Sequence, residues 1–512
     1  MILVLNFGGQ YCHLIARRVR DLGVYSEILP CDISLGEIGK LKPDGIILSG
    51  GPASVYEHNA PTMDKKILGL GIPILGICYG LQLIGKFVGG TVLGGKLKEF
   101  GKKELHVKKN GKLLKGLSKK EQVWMSHGDL VTELPKDFQI LASTDSCKIA
   151  GFENNEKKLY GVQFHPEVVH TLKGNEILKN FVFGICKAKK NWHIKNVAKQ
   201  LIKEIKKEIG KNSVIMGVSG GVDSTTAATL LHKALGSKLY CVFVDHGLIR
   251  KGEAEEVKDF FEKKLKFKHF YFIDASQIFL EKLRGITDPE EKRKIIGHTF
   301  IEVFESKVVE LGKKHKNIKF LGQGTIYPDR IESAQPTKYA SKIKSHHNVT
   351  LPEKMVLKVI EPLKEFYKDE VRKLGKELKI PEEILNRHPF PGPGLAIRIL
   401  GEVTEERLRI LREADYIFID ELKKSGYYSK TWQAFAALLP IKAVGVMGDA
   451  RTYEYIISLR AVTSIDAMTA DWAKMPNELL EIISNRIINE VRGVNRVVYD
   501  ISQKPPATIE YE

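Results

Sequence analysis

Cysteine is scarce: six residues in 512, with no Cys-x-x-Cys pair among Cys12, Cys31, Cys78, Cys147, Cys186 and Cys241. That scatter excludes a disulfide-stapled scaffold and a zinc framework, and reads as reduced cytosolic thiols. No apolar run approaches the roughly 20 residues that cross a bilayer. Met1–Gln10 has no basic segment leading into a long apolar one, so a secretory leader is not expected. The expectation is a cytoplasmic protein without a membrane partner, in which the sequon Asn348-Val349-Thr350 carries no meaning. Internal repeats and low-complexity segments are absent. An aromatic-interleaved basic stripe is missing too, although the formal net charge is +18. Much of that excess is Lys scattered over Lys199–Lys211 and Lys313–Lys319, which reads as solvated helix faces rather than a nucleic-acid surface.

What is present is enough for about three domains, since 512 residues exceed a single core. Hydrophobic residues at 43% and charged residues at 28% are ordinary for a globular chain. Ile2–Asn6, Gly45–Leu48 and Ile72–Ile77 read as short buried strands, with a helix near Tyr11–Leu22. That rhythm predicts a parallel sheet with helices on both faces, and residues 87–165, richer in turn residues, predict antiparallel additions. Asn191–Gly210 reads as a Lys-rich linker helix. A second α/β unit begins at Ser213–Val218 and continues through Leu239–Val244 and Phe270–Ile273. The proline-dense His388–Gly394 cannot be helix or central strand, so a boundary is placed there. The expected domains are residues 1–190, 195–385 and 386–512, the last a small α+β domain.

Two motifs carry chemistry. Gly76-Ile77-Cys78-Tyr79-Gly80 sits where a buried strand meets the helical run Leu81–Val88. Glycines flanking a cysteine at such a junction permit a strained elbow that lifts the sulfur clear of the sheet. The helix N-terminus behind it favours negative charge and supplies N–H groups for an oxyanion. The strand Tyr160–Phe164 ends in His165-Pro166-Glu167, so His165 is the candidate base for Cys78 and Glu167 its orienting carboxylate. A lone cysteine is more often an inert buried thiol; here the elbow, the His-x-Glu pair and the Ser49-Gly50-Gly51-Pro52 turn agree. His127, within Trp124–Asp129, reads more as a satisfied loop residue than as a catalyst.

The second motif is Ser219-Gly220-Gly221-Val222-Asp223-Ser224, between a strand and a helix. Small residues let successive N–H groups converge on an anion, and the helix dipole adds to the attraction. The spacing is not that of a Walker loop. Val244-Asp245-His246-Gly247 ends the next strand, where an adenine could lie over the carboxyl edge of the sheet.

Phe7–Tyr11, Gly50-Gly51, the Cys78 elbow, Ser126–Asp129 and His165–Glu167 together resemble class I glutamine amidotransferases. The resemblance implies that Cys78 attacks the γ-amide of glutamine and that ammonia leaves. It also implies an oxyanion hole at the Gly50-Gly51 turn, from the Gly51 and Tyr79 backbone, and a glutamine site at Gln82, Ser126, His127 and Asp129. The second loop resembles that of the N-type ATP pyrophosphatases, which makes Asp223 the implied Mg²⁺ ligand and Ser219 and Ser224 the phosphate ligands. Gln323–Ser333, Ile343–Asn348, Pro389–Gly394, Gly448–Thr452 and Lys504–Glu510, in that order, resemble the glutamine-hydrolysing GMP synthase family along the whole chain. The fold so implied is α/β and multidomain: a class I amidotransferase domain, a Rossmann-like ATP pyrophosphatase domain and a small α+β dimerisation domain. The implied reaction converts ATP, XMP and glutamine to GMP, AMP, diphosphate and glutamate. Lys344 is implied on the ATP phosphates, Asp329 and Glu332 at the adenylation site, and Arg293, Arg496, Lys504, Ile509 and Glu510 around XMP; a homodimer is the family default. Departures are the short loop Asn348–Pro352 without glycine, Gly9 in place of Ser, and Tyr511 in place of Trp. Two other readings compete, a tRNA-modifying ATP pyrophosphatase and a non-catalytic RNA-binding protein. The first would bring an RNA module or a sulfur-relay cysteine pair, neither of which is found. Intact Cys78, His165, Glu167, Asp223 and Lys504 argue against the second.

Overall fold

A computed structural model describes residues 1–329, 357–447, 450–464 and 469–512. The chain divides into two compact units, Met1–His193 and Ile194–Glu512.

The first unit is built on strands β1 (Ile2–Asn6), β2 (Ser26–Pro30), β3 (Gly45–Leu48), β4 (Ile74–Ile77), β5 (Thr91–Val107), β6 (Lys120–Glu133), β7 (Gln139–Ser143), β8 (Gly151–Asn154) and β9 (Leu159–Val162). They form one sheet in the order β2-β1-β3-β4-β9-β8-β7-β5-β6. Pairing is parallel from β2 to β9 and antiparallel beyond it, as expected for residues 87–165. Residues of β1 and β3 are apolar in unbroken runs because both faces are covered. Strand β2 is an edge strand with alternating burial, so it lacks the continuous apolar run that marks its neighbours in the sequence.

In the second unit β10 (Ser213–Gly217), β11 (Leu239–Asp245), β12 (Phe270–Asp274), β13 (Ile318–Gly322) and β14 (Lys358–Ile360) form a parallel sheet ordered β12-β11-β10-β13-β14. The order reverses at β10, which opens a crevice at its carboxyl end, the position where open α/β sheets bind ligands. Strands β15 (Gln433–Met447), β16 (Ala450–Thr463), β17 (Asp471–Trp472) and β18 (Val494–Tyr499) make a second sheet, with β15, β17 and β18 all paired to β16. One hydrophobic core runs from Ile215, Val242 and Phe279 through Leu395, Ile399 and Leu408 to Leu438, Ile457 and Ile483. The boundary expected near residue 386 falls inside this unit.

The helix Ile194–Ile209 is less of a free linker than its composition suggests. It packs on the helices Val222–Leu235 and Lys368–Glu377, burying Ala198, Ile205 and Ile209 while Lys199, Lys203, Lys206 and Lys207 face solvent. Among the described residues no helix is long and apolar enough to cross a membrane.

Candidate active site

Cys78 follows β4 directly and caps the helix Tyr79–Phe87 with φ +53°, a backbone region that non-glycine residues rarely occupy. The flanking glycines make that turn possible. A Cβ on Gly80 would stand 2.5 Å from the Leu48 carbonyl oxygen, and one on Gly76 would stand 2.5 Å from the Gly80 carbonyl carbon. The Cys78 amide donates to Val162 O at 2.8 Å, tying the elbow to β9.

His165 follows β9. Its Nδ1 lies 2.7 Å from Glu167 Oε1, and both side chains are buried. A carboxylate only accepts, so Nδ1–H donates and Nε2 is left as the basic nitrogen. Burial opposes charge on this imidazole, but the Glu167 carboxylate and the Cys78 sulfur outweigh it and raise the pKa above the usual histidine range. The ring is held by Tyr11, packed edge-on at 5.1 Å, and the main chain by Thr171 Oγ1, which donates to His165 O at 2.6 Å. A Cβ on Gly50 would come within 3.0 Å of His165 Cε1 and 3.7 Å of Cys78 Cβ, so the Gly50-Gly51 turn borders both side chains. The predicted Cys78, His165, Glu167 and Gly50 are thus neighbours in space.

The residues that the resemblance assigns to glutamine lie around the thiol. Gln82 Nε2 donates to Asp129 O at 2.7 Å, and Cys78 Sγ lies 3.6 Å from Ser126 O. His127 sits in β6 rather than in a loop, and both of its ring nitrogens are engaged: Nδ1 with Asp129 O at 3.0 Å and Nε2 with Glu99 Oε2 at 3.0 Å. It holds this segment in place, which agrees with its reading as a satisfied residue. Sequence reasoning missed Glu99, whose other oxygen accepts from Thr144 and Ser146. It also missed Gln163, whose Nε2 lies 3.7 Å from the sulfur. Neither sits in a motif that spacing could flag.

The segment Ser219–Ser224 lies at the carboxyl end of β10 and runs into the first turn of the helix Val222–Leu235. Gly220 has φ +75°, which suits only glycine, and Ser219 Oγ and Ser224 Oγ are 3.0 Å apart across the turn. Asp223 Oδ2 meets Lys368 Nζ at 2.5 Å, while Oδ1 is buried with no hydrogen-bond partner among the described residues. Sequence reasoning does not single out Lys368. It begins the helix Lys368–Glu377, where a cation opposes the helix dipole, and that misplacement is the signal a sequence reader could use. Arg387 Nη2 meets Glu256 Oε2 at 2.7 Å beside the loop. Val244 is buried at the end of β11. Asp329 Oδ2 accepts from Ile326 N at 3.2 Å, in a segment whose Gly324 packs on Ser224. Glu332, Lys344, the loop 348–352 and Gly448-Asp449 lie outside the described residues.

A separate pocket of about 430 Å³ in the second unit brings together Arg293, Lys504, Ile509 and Glu510, with apolar walls from Phe390 and Trp432 and an amide from Gln433. Four of the five residues implied around XMP line it. The fifth, Arg496, is exposed on β18 opposite Ile456 and does not.

Family models match both units of the chain. The model for class-I glutamine amidotransferases matches residues 3–185, that for NAD synthase residues 194–346, and that for the GMP synthase C terminal domain residues 420–511. The chain is 58% identical to the GMP synthase (glutamine-hydrolyzing) of Aquifex aeolicus and 58% identical to that of Carboxydothermus hydrogenoformans, each alignment covering 100% of this chain and 99% of the relative. Identity to the protein of the same name from Brachyspira hyodysenteriae is 53%, with the same coverage. With both units matched and full-length relatives at 58% identity, the chain belongs to the family of glutamine-hydrolysing GMP synthases.

Proposed function

We propose that the enzyme makes GMP from XMP, ATP and glutamine by two linked reactions. In the first, His165 Nε2 takes the thiol proton, Cys78 attacks the γ-amide of glutamine, and the oxyanion is met by backbone N–H groups of Gly51 and Tyr79. His165 then protonates the leaving ammonia, and water releases glutamate from the thioester. In the second, the C2 oxygen of XMP attacks the α-phosphorus of ATP and diphosphate leaves. AMP on that oxygen is a good leaving group, and ammonia displaces it to give GMP.

Ser219–Ser224 would cradle the phosphates, and Val244 would border the adenine. Asp223 fits a Mg²⁺ ion bound mainly through ATP, because a single carboxylate with a buried, unpartnered oxygen suits a cation that takes most of its ligands from phosphate and water. When bound, the ion would neutralise phosphate charge. Lys504 and Arg293 are the cations for the XMP phosphate, and Ile509 and Glu510 face the rest of the nucleotide. Asp329, Glu332, Lys344 and Arg496 are assigned by resemblance. The domain limits 1–190, 195–385 and 386–512 and a cytoplasmic location belong to the same reading. So does a homodimer, supported by an exposed apolar stripe on the second sheet: Val444 pairs with Tyr453, and Val446 follows on the same face.

The observation that carries the proposal is one chain holding both a buried Cys-His-Glu site and a phosphate loop at a sheet switch point. The decisive assay measures AMP and diphosphate formed with XMP against other purine monophosphates. Absence of ATP consumption with XMP and a nitrogen source would refute it.

A further inference from the structure

Arg398 is fully buried in the 3-10 helix Gly394–Arg398, directly after the proline-dense segment, and does not line the 430 Å³ pocket. Its guanidinium makes a two-pronged contact with Glu510: Nε donates to Oε2 at 3.1 Å and Nη2 to Oε1 at 2.9 Å. Gln433 Nε2 donates to the same Oε1 at 2.6 Å. The Arg398 guanidinium carbon also lies 5.0 Å from the Phe390 ring centroid and 4.2 Å from that of Phe435. One residue outside the pocket therefore holds two of its walls, Glu510 and Phe390.

We propose that Arg398 is a positioning residue that sets how tightly the pocket binds its purine nucleotide, a role that rests on the reading of this pocket as the XMP site. Burying a guanidinium is costly, so a purely tethering role needs a segment that nothing else tethers. This segment is already tethered. Arg460 donates to the carbonyls of Ser502, Thr508 and Ile509, and Lys292 reaches Glu512 and the carbonyls of Ala396 and Ile399. What Arg398 adds is the orientation of one carboxylate. Glu510 receives three N–H donors from protein out of about four acceptor positions, which leaves one direction for a nucleotide N–H or O–H. Without the planar fork, the carboxylate can turn toward Lys504, and two polar groups meant for the nucleotide satisfy each other. A lysine cannot replace the fork, because it offers a point charge on a flexible stem.

The test uses the full-length enzyme with ammonium as nitrogen donor and saturating ATP, comparing Arg398→Lys, Arg398→Met, Glu510→Gln and the Arg398→Met/Glu510→Gln double variant. Arg398→Lys should raise KM for XMP about tenfold while kcat stays within about threefold, the size expected for losing one charge-assisted, two-pronged contact. The double variant should bind XMP no worse than Glu510→Gln alone, because no carboxylate remains to orient. The proposal is overturned if Arg398→Lys leaves KM for XMP unchanged, if kcat and melting temperature fall with no change in KM, or if the double variant shows the product of the single effects. Should Arg398→Met fail to fold, Arg398→Lys and Glu510→Gln still decide the question. If wild-type enzyme shows no XMP-dependent diphosphate release, the reading of the pocket fails first, and that result appears before any substitution is made.

Discussion

His165 Nδ1 and Glu167 Oε1 are 2.7 Å apart, with exposures of 6% and 0% for the two side chains. Such a pair fixes one tautomer, and in the proposed mechanism it would hold the imidazolium formed when the thiol gives up its proton. Replacing Glu167 with Gln should therefore lower glutaminase activity by about a thousandfold or more, as loss of an orienting carboxylate does in comparable triads. Cys78→Ala should abolish glutamine-dependent GMP formation and spare turnover with ammonium. Loss of ammonium-dependent turnover in Cys78→Ala would contradict the separation of the two reactions.

Asp223 and Lys368 form an ion pair beside the phosphate loop. Asp223→Ala should stop XMP-dependent diphosphate release with either nitrogen donor. Lys368→Met should slow it by roughly tenfold to a hundredfold, the range for removing one cation aimed at phosphate charge. Diphosphate release by Asp223→Ala at near wild-type rate would remove Asp223 from the metal site.

Glu99 supplies a pH test. Burial works against its ionised form, yet hydrogen bonds from His127, Ser146 and Thr144 prevail and hold its pKa down at about 2, against 4.5 for an ordinary glutamate. A folded-state value below the unfolded one stabilises the fold above pH 4.5, and the gain disappears as pH falls toward 2. Glu99→Gln should cost about 2 kcal/mol at pH 7 and flatten this acid sensitivity. Denaturant melts at several pH values would read both effects; parallel acid profiles for variant and wild type would exclude Glu99 as their source.

Gly80 meets the Leu48 backbone so closely that an added methyl must displace the helix from the sheet. Gly80→Ala should destabilise the enzyme by about 1–3 kcal/mol and change the alkylation rate of Cys78. Gly69→Ala, where a Cβ meets nothing within 4 Å, should lie within about 0.5 kcal/mol of wild type. Equal stability for the two variants would show that close packing at Gly80 is not what shapes the elbow.

Much of the chemistry is legible in the order of the residues. The Cys78 elbow and the Ser219–Ser224 loop are local: a few adjacent small residues dictate a backbone path, and strands β1, β3, β10 and β11 announce themselves as unbroken apolar runs. The edge strand β2 is not legible, because a half-exposed strand carries a weaker pattern. Arg496 is matched by motif to a pocket that the fold builds without it.

By itself, then, the sequence determined which reactive groups the protein carries and the turns that present them. Only the tertiary structure decided which distant charges serve those groups: Glu99 for His127 across 28 positions, Arg398 for Glu510 across 112, and Lys368 for Asp223 across 145. The reason is physical. A charge withdrawn from water must find a partner, and which partner lies within reach depends on how the elements pack, whereas the conformation of a turn depends on the few residues that form it.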